Sequence, residues 1–159
     1  MKALVIVGGT GRGKSTKIKQ ILMQIKKRPI IYDVNNEYYK TGYNLPEMKD
    51  FITLCENSTN QLFIFEEATM FFDHKAGGDA KRISRLLVRK RHQKNYYIFV
   101  FHAMHQVPLF IHDYVQNFIL FKTDEPKDLV LSKFAKNEKI RNAYLDVFDN
   151  KNPHYFKEF

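Results

Sequence analysis

Cysteine, tryptophan and long apolar runs are scarce or missing in this sequence of 159 residues. It contains one cysteine, Cys55, and no tryptophan. A single thiol excludes an internal disulfide framework and any metal site built from four thiolates. No apolar stretch approaches the roughly 18 residues that a membrane-spanning helix needs, because the longest one ends at His102. We therefore expect neither a disulfide-rich fold nor an intrinsic membrane span.

The start of the sequence and its length add two expectations. Apolar residues of strand type begin at Ala3, where a secretory signal peptide would have a different layout. Together with the lone cysteine, this predicts a cytoplasmic protein. A chain of this length buries roughly two-thirds of its unfolded surface, so we predict a single domain over residues 1–159, with a core at about 2–122 and an extension at 123–159.

Acidic residues are fewer than basic residues in this sequence. The chain has 17 Asp and Glu against 26 Lys and Arg, a formal net charge of +9. An excess of this kind is typical of proteins with a polyanionic partner such as nucleic acid, but it also serves solubility alone. Charge by itself leaves both interpretations open.

Short apolar runs recur along the sequence at lengths typical of β-strands. Ala3–Val7 is β-branched and continuously apolar, which is typical of a strand buried on both faces of a parallel sheet. The other predicted strands are residues 29–34, Leu62–Phe65, Tyr96–Phe101, Phe118–Phe121 and an edge strand at 155–159.

Helical periodicity fills the intervals between these strands. Apolar residues at i, i+3, i+4 and i+7 predict an amphipathic helix after the first strand: Ile18, Ile21, Leu22 and Ile25. Further helices are predicted at residues 47–55, at Ala80–Gln93 and around 140–148. Alternation of strands and helices predicts an α/β fold, a mainly parallel sheet flanked by helices on both faces.

A glycine-rich segment between the first strand and the first helix matches the Walker A pattern G-x-x-x-x-G-K-[ST]. Glycines let the backbone approach a phosphate chain, and the helix that follows directs unpaired N–H groups at the anion. Lys14 adds a charge near the β and γ phosphates, and Ser15 offers a hydroxyl to Mg²⁺. The predicted nucleotide-binding residues are Gly8, Gly9, Thr10, Gly11, Arg12, Gly13, Lys14, Ser15 and Thr16. The pattern predicts ATP and Mg²⁺ as cofactors on a P-loop NTPase fold of the RecA/ASCE type.

Two adjacent glutamates follow the apolar run Leu62–Phe65, as in a Walker B segment. Adjacent residues on a strand point to opposite sides, so we expect Glu66 and Glu67 to have different roles. We assign Glu66 to the Mg²⁺ shell and Glu67 to activation of the attacking water. The alternative is that both begin a solvated helix with Ala68 and Thr69.

Polar residues also follow two other predicted strands at the same sheet edge. His102 and Gln106 come after Tyr96–Phe101, where a polar side chain can sense the γ-phosphate. A capping or loop-packing role is the alternative for each. Asp33 or Glu37, in the segment YDVNNEY, could approach the nucleotide, although turn formation explains the neighbouring asparagines equally well.

The predicted helix Ala80–Gln93 is strongly basic outside its apolar positions. Its cations, with Lys94, are Lys81, Arg82, Arg85, Arg89, Lys90, Arg91 and Lys94. One interpretation is an arginine finger offered to a neighbouring subunit, with the remaining cations facing DNA. The other is a solvated basic face.

The sequence resembles the FtsK/HerA superfamily of DNA-translocating ATPases in GGTGRGKST, IIYDVNNEY, LFIFEEA, RLLVRKRHQ and IFVFHAMHQVP. Within it, the compact genome-packaging ATPases of tailless, membrane-containing viruses are most similar. The resemblance implies a ring of five or six subunits that drives double-stranded DNA into a capsid, in the host cytoplasm or with the virion, beside capsid vertex or portal proteins. It also implies that Arg85, Arg89 or Arg91 is the finger and that Gln106 or His102 is the sensor.

Three features depart from that pattern: Glu66 stands where Asp is usual, HAMHQVP replaces T-Q-x-P, and residues 134–159 match no motif. The RKRH and EEA segments also resemble the ATPase domain of zonular occludens toxin-like proteins, which drive filamentous phage assembly and export. Those proteins typically continue into a membrane anchor, so this alternative ranks second. The third is a small nucleotide or metabolite kinase, and the fourth is a nucleotide-binding regulator without turnover.

Overall fold

The computed structural model describes residues 3–25, 27–36, 38, 40–45, 47–73, 79–115 and 117–159. The strands within them are β1 Ala3–Val7, β2 Ile30–Tyr32, β3 Tyr43–Asn44, β4 Leu62–Phe65, β5 Tyr96–Phe101, β6 Phe118–Phe121 and β7 Phe156–Glu158. The helices are α1 Lys14–Gln24, α2 Met48–Asn57, α3 Ala68–Phe72, α4 Ala80–Gln93, α5 Ile111–Tyr114, α6 Lys127–Lys133 and α7 Glu138–Asp149.

The strands form one seven-stranded sheet in the order β3-β2-β4-β5-β1-β6-β7. Every neighbouring pair is parallel except β6 and β7, which are antiparallel. β5 is therefore the central strand, and β1 lies beside it, between β5 and β6. Because parallel strands end at the same edge, the segments after β1, β4, β5 and β6 meet there, as ligand sites do in open α/β sheets.

The two faces of the sheet are covered unequally. On one face Leu4 and Ile6 pack with Ile18 and Leu22 of α1. On the other face lies a larger apolar core to which α2 to α7 all contribute. Helices thus flank both faces of a mainly parallel sheet, which confirms the predicted fold class.

An aromatic cluster in the larger core fixes the end of β4. The ring of Phe65 lies 4.5 Å from that of Phe99 on β5 and 4.8 Å from that of Phe71 on α3. Aromatic pairs at such separations add to the free energy gained by burial alone. The chain that leaves β4 therefore starts from a well-anchored point.

The predicted strands and helices exist, with changes at some ends. The second strand ends at Tyr32 rather than at residue 34, and the helix predicted at 47–55 runs over Met48–Asn57. The elements not predicted are β3, α3, α5 and α6, which have between two and seven residues. Such lengths are too short for a clear periodic signal.

The sequence predicts neither a membrane-spanning helix nor a disulfide framework. None of the helices in the described ranges is long and apolar enough to cross a membrane. Cys55 is a free thiol on the buried side of α2 and belongs to the larger core.

Candidate nucleotide-binding site

The phosphate loop, residues 8–15, connects β1, an inner strand of the sheet, to α1. The amide of Gly8 donates to the carbonyl of Phe101 at 3.1 Å, so the loop begins hydrogen-bonded to the end of β5. Gly13 caps the start of α1 with φ of 105°, a left-handed conformation that glycine adopts without steric cost. The loop therefore enters the helix through a backbone geometry that the Walker A glycine permits.

A pocket of about 230 Å³ opens above this loop. Its lining combines the loop with both glutamates and a histidine: Thr10, Gly11, Gly13, Lys14, Ser15, Thr16, Glu66, Glu67 and His102. The sequence-predicted loop, Walker B pair and one sensor candidate thus meet in a single place.

A larger cavity of about 600 Å³ lies between α1 and the opposite end of the sheet. Its lining is mainly apolar, and its cation Lys17 is paired with Glu158 at 2.7 Å. It lacks the convergent polar groups of the smaller pocket, so the phosphate-loop pocket is the candidate site.

Lys14 is buried, and its ammonium contacts the loop's own backbone. Nζ donates to the carbonyl of Gly8 at 2.7 Å and to that of Gly9 at 3.1 Å. It also lies 3.4 Å from Nδ1 of His102. A phosphate oxygen entering the pocket would be an anionic acceptor for the same ammonium.

Both glutamates line the same pocket, although the sequence predicts that they point to opposite sides. The reason is that β4 ends at Phe65, so Glu66 and Glu67 belong to the following turn and do not alternate as strand residues do. The amide of Glu66 donates to the carbonyl of Tyr32 on β2 at 3.1 Å. A helix does begin at Ala68, but its Ala68 and Phe71 are buried, so it is not the solvated helix of the alternative interpretation.

Two side chains hold the carboxylate of Glu67. Nδ2 of Asn35 donates to Oε1 at 3.2 Å, and Nε2 of His102 lies 3.0 Å from the same oxygen. A lysine ammonium has only donors, so Nδ1 of His102 accepts from Lys14 and the imidazole proton resides on Nε2. In this tautomer the ring of His102 connects Lys14 to Glu67.

The two sensor candidates have different surroundings. His102 lines the pocket, whereas Oε1 of Gln106 accepts from the amide of Ala103 at 3.1 Å and lies 3.3 Å from Oγ1 of Thr69. Gln106 thus stabilises the short 3₁₀ turn Met104–Gln106 and does not belong to the pocket lining.

Of the candidates after β2, Asp33 has a structural role. Its Oδ2 accepts from the amide of Tyr38 at 2.8 Å, and its side chain is buried away from the pocket lining. Glu37 lies outside the described residues. The contact of Asn35 with Glu67 was missed by sequence reasoning; its only signal was a position just after β2, at the edge where the phosphate loop opens.

The arginines of α4 do not line the pocket. Arg85, Arg89 and Arg91 are exposed along the helix. Arg82 instead pairs with Glu56 of α2, with Nε 2.9 Å from Oε1, and this hydrogen bonding lowers the pKa of Glu56. Arg12 of the phosphate loop pairs with Asp124 at 2.9 Å and likewise lies outside the pocket lining.

Known proteins share this fold. The chain matches, with a TM-score of 0.73 and 21% identity, the genome packaging NTPase B204 from Sulfolobus turreted icosahedral virus 2 in complex with AMP, over 99% of this chain and 92% of that one. The DNA-packaging ATPase B204 from Sulfolobus Turreted Icosahedral Virus gives 0.69 and 20%, over 99% and 96%. The N-terminal domain of zonular occludens toxin from Neisseria meningitidis gives 0.53 and 14%, over 77% and 78%.

Among curated proteins no match was found. At the level of sequence families, residues 1–103 match the model for the type IV secretion-system coupling protein DNA-binding domain, an FtsK/HerA-type ATPase family. That match spans the phosphate loop, the glutamate pair, α4 and His102, and it confirms the FtsK/HerA resemblance. The chain therefore belongs to the type IV secretion-system coupling protein DNA-binding domain family.

Proposed function

We propose that this chain is an ATP-hydrolysing motor that moves double-stranded DNA, in the packaging of a viral genome into a capsid. The observation that carries the proposal is the convergence of Lys14, Glu67 and His102 on one pocket. The fold around that pocket is similar to that of two viral packaging enzymes, and the family is described as DNA-binding.

ATP binds at the phosphate loop. The amides at the start of α1 and the ammonium of Lys14 supply positive charge for the β and γ phosphates. The similar B204 has been solved with AMPPCP and with ATP-gammaS, which supports ATP as the nucleotide here. In this proposal Lys14 exchanges the carbonyls of Gly8 and Gly9 for phosphate oxygens.

Mg²⁺ fits the donors that the pocket offers. Ser15 and Glu66 both line it, and hydroxyl and carboxylate oxygens are the ligands that Mg²⁺ prefers. In the described part of the chain no group of three or more His, Cys, Asp or Glu side chains could hold a metal ion alone. That agrees with Mg²⁺ in phosphate-transfer sites, which takes only one or two protein ligands beside substrate phosphates and water. When bound, Mg²⁺ would neutralise charge on the phosphates.

Glu67 orients the attacking water and accepts its proton. The contacts from Asn35 and His102 both fall on Oε1, so among the described residues Oε2 is left to accept a hydrogen bond from water. Fixing the carboxylate in this way reduces the cost of placing the nucleophile in line with the γ-phosphate. Asn35 and His102 thus hold the base, and Lys14 holds the phosphate.

Contacts with DNA and with other subunits complete the proposal. Arg85, Arg89 and Arg91 are exposed and lie outside their own chain's pocket, so one of them serves the pocket of a neighbour in a ring of five or six subunits. The remaining exposed cations of α4, Lys81 among them, face the DNA backbone, in keeping with the net charge of +9.

A second candidate function is that of a phage assembly or export ATPase. The similarity to the zonular occludens toxin domain favours it, but with a lower TM-score and less of the chain covered. The kinase alternative needs arginines over the phosphates, and Arg82, Arg85 and Arg89 of α4 are all absent from the described pocket lining.

The proposal is tested by ATP turnover with and without double-stranded DNA, in wild type and Glu67→Gln. Wild type should hydrolyse ATP faster with DNA, and the variant should bind ATP but lose about 100-fold or more of the rate, the usual share of a general base. Turnover that ignores DNA would refute the motor, and phosphate transfer to a small acceptor would establish a kinase. Full turnover in the variant would refute the role of Glu67.

A further inference from the structure

The segment that follows β6, residues 122–125, contacts both the phosphate loop and the 3₁₀ turn Met104–Gln106, which comes shortly after His102. We call it the bridging segment. It belongs to none of the sequence motifs above, and its side chains are not part of the pocket lining.

Lys122 and Asp124 of the bridging segment are bonded to the phosphate loop. The carbonyl of Lys122 accepts from the amide of Gly9 at 2.9 Å, and Oδ1 of Asp124 pairs with Nη2 of Arg12 at 2.9 Å. The approach is so close that a Cβ on Gly9 would lie 2.8 Å from Oδ2 of Asp124. The loop and this segment are therefore joined by one backbone hydrogen bond and one exposed ion pair.

The next residue, Glu125, is hydrogen-bonded to the turn after β5. Its side chain is only 3% exposed, and a buried carboxylate is costly unless donors surround it. Oε1 accepts from the amide of Met104 at 2.7 Å, and Oε2 accepts from the amide of His105 at 2.8 Å. Nδ1 of His105 lies 2.7 Å from the same Oε2. These short, charge-assisted bonds fix the backbone just after His102.

Two adjacent residues, Asp124 and Glu125, thus hold two separate parts of the site. We propose that the bridging segment couples nucleotide binding at the phosphate loop to the position of His102, with Glu125 as the positioning residue. This inference rests on the proposed function, because His102 matters through the carboxylate of Glu67. Glu125 acts on turnover without touching the nucleotide.

The first test is the steady-state kinetics of Glu125→Gln. The side-chain NH2 of glutamine is a donor, so it would face a backbone N–H that is also a donor. We expect kcat to fall about 10- to 100-fold, the usual cost of a small misplacement in an active site, with nucleotide affinity unchanged. The matched control is Glu56→Gln, which removes a carboxylate bonded to Arg82 away from the pocket. It should lower the unfolding temperature without lowering kcat. An equal loss of kcat in both variants would reduce Glu125 to a structural role and overturn the proposal.

The second test does not depend on turnover. Amide hydrogen exchange of Met104 and His105 is followed by NMR with and without saturating AMPPCP. Exchange should slow on binding in wild type and should slow less in Asp124→Ala, which removes the ion pair with Arg12 and leaves the backbone bond from Gly9 to Lys122 in place. Equal slowing in both proteins, or no slowing in wild type, would overturn the coupling. If exchange behaves as expected while wild type hydrolyses no ATP, the proposed function fails and the coupling stands.

Discussion

The imidazole of His102 lies between the cation and the base of the candidate site, with Nε2 3.0 Å from Oε1 of Glu67. Its other nitrogen, Nδ1, is 3.4 Å from the ammonium of Lys14. One ring thus contacts the residue that would hold the γ-phosphate and the residue that would activate water. Of the two sequence candidates, His102 is the one that lines the pocket, and it is the sensor in our proposal.

Replacing His102 by alanine should lower kcat about tenfold or more, because Glu67 would keep only Asn35 to hold Oε1 and its carboxylate would sample other orientations. Nucleotide affinity should change little, because Lys14 keeps its phosphate contacts. ATP turnover and nucleotide titrations check the two parts separately. His154→Ala, at an exposed position, is the control and should match wild type. A wild-type kcat in His102→Ala would exclude the ring from catalysis.

Mixed rings should reveal an arginine finger. A Lys14→Ala subunit lacks nucleotide binding but keeps its α4, whereas a finger variant keeps binding but lacks the arginine. Mixing Lys14→Ala with Arg85→Ala, Arg89→Ala or Arg91→Ala should restore part of the ATP turnover for one of the three. Each finger variant should be inactive alone. If every mixture is inactive as well, the hypothesis that an arginine serves the pocket of a neighbouring subunit is wrong.

The exposed cations of α4 should set the salt dependence of DNA binding. Each lost phosphate contact reduces the slope of log K against log salt by about 0.9. We expect Arg85→Ala and Lys81→Ala to reduce the slope measured by fluorescence anisotropy with a duplex. Lys151→Ala removes the same charge at an exposed position after α7, and its slope should equal that of wild type. Equal slopes for all three variants would place the DNA elsewhere.

Burial of His112 should make the fold sensitive to acid. Its ring stacks on Phe118 at 4.8 Å, and desolvation lowers its pKa to about 4. The unfolded chain binds a proton at a higher pH than the folded chain does, so the free energy of unfolding falls as pH drops from about 6.5 towards about 4.

Chemical denaturation of wild type and His112→Phe between pH 8 and pH 4.5 measures this effect. The variant lacks the titrating group, so its free energy of unfolding should fall less over that range than that of wild type. Identical pH profiles would assign the acid sensitivity to other groups.

The sequence alone predicts the parts of the site that local patterns encode. Residues 8–15 match a phosphate-binding motif that is recognised by the spacing of its glycines, lysine and serine. The apolar run Leu62–Phe65 predicts a buried strand, and the two glutamates follow it directly. The bounds of α4 were also predicted correctly, since its apolar stripe and basic face alternate clearly over the 14 residues of Ala80–Gln93. Each of these signals is contained within about a dozen neighbouring residues.

Contacts between distant loops carry no such signal. Asn35 reaches Glu67 across 32 positions of sequence, and Glu125 reaches Met104 across 21. They meet only because β2, β4, β5 and β6 end at the same edge of the sheet. The opposed orientations predicted for Glu66 and Glu67 were not found, because β4 ends with the apolar run at Phe65 and both glutamates belong to the turn that follows.

The most direct measurement of the motor is displacement of a third strand from a DNA triplex. Wild type with ATP should release the labelled strand, whereas AMPPCP with wild type, and ATP with Lys14→Ala or Glu67→Gln, should leave it in place. ATP hydrolysis stimulated by DNA but without strand release would contradict the central claim that this chain moves along double-stranded DNA.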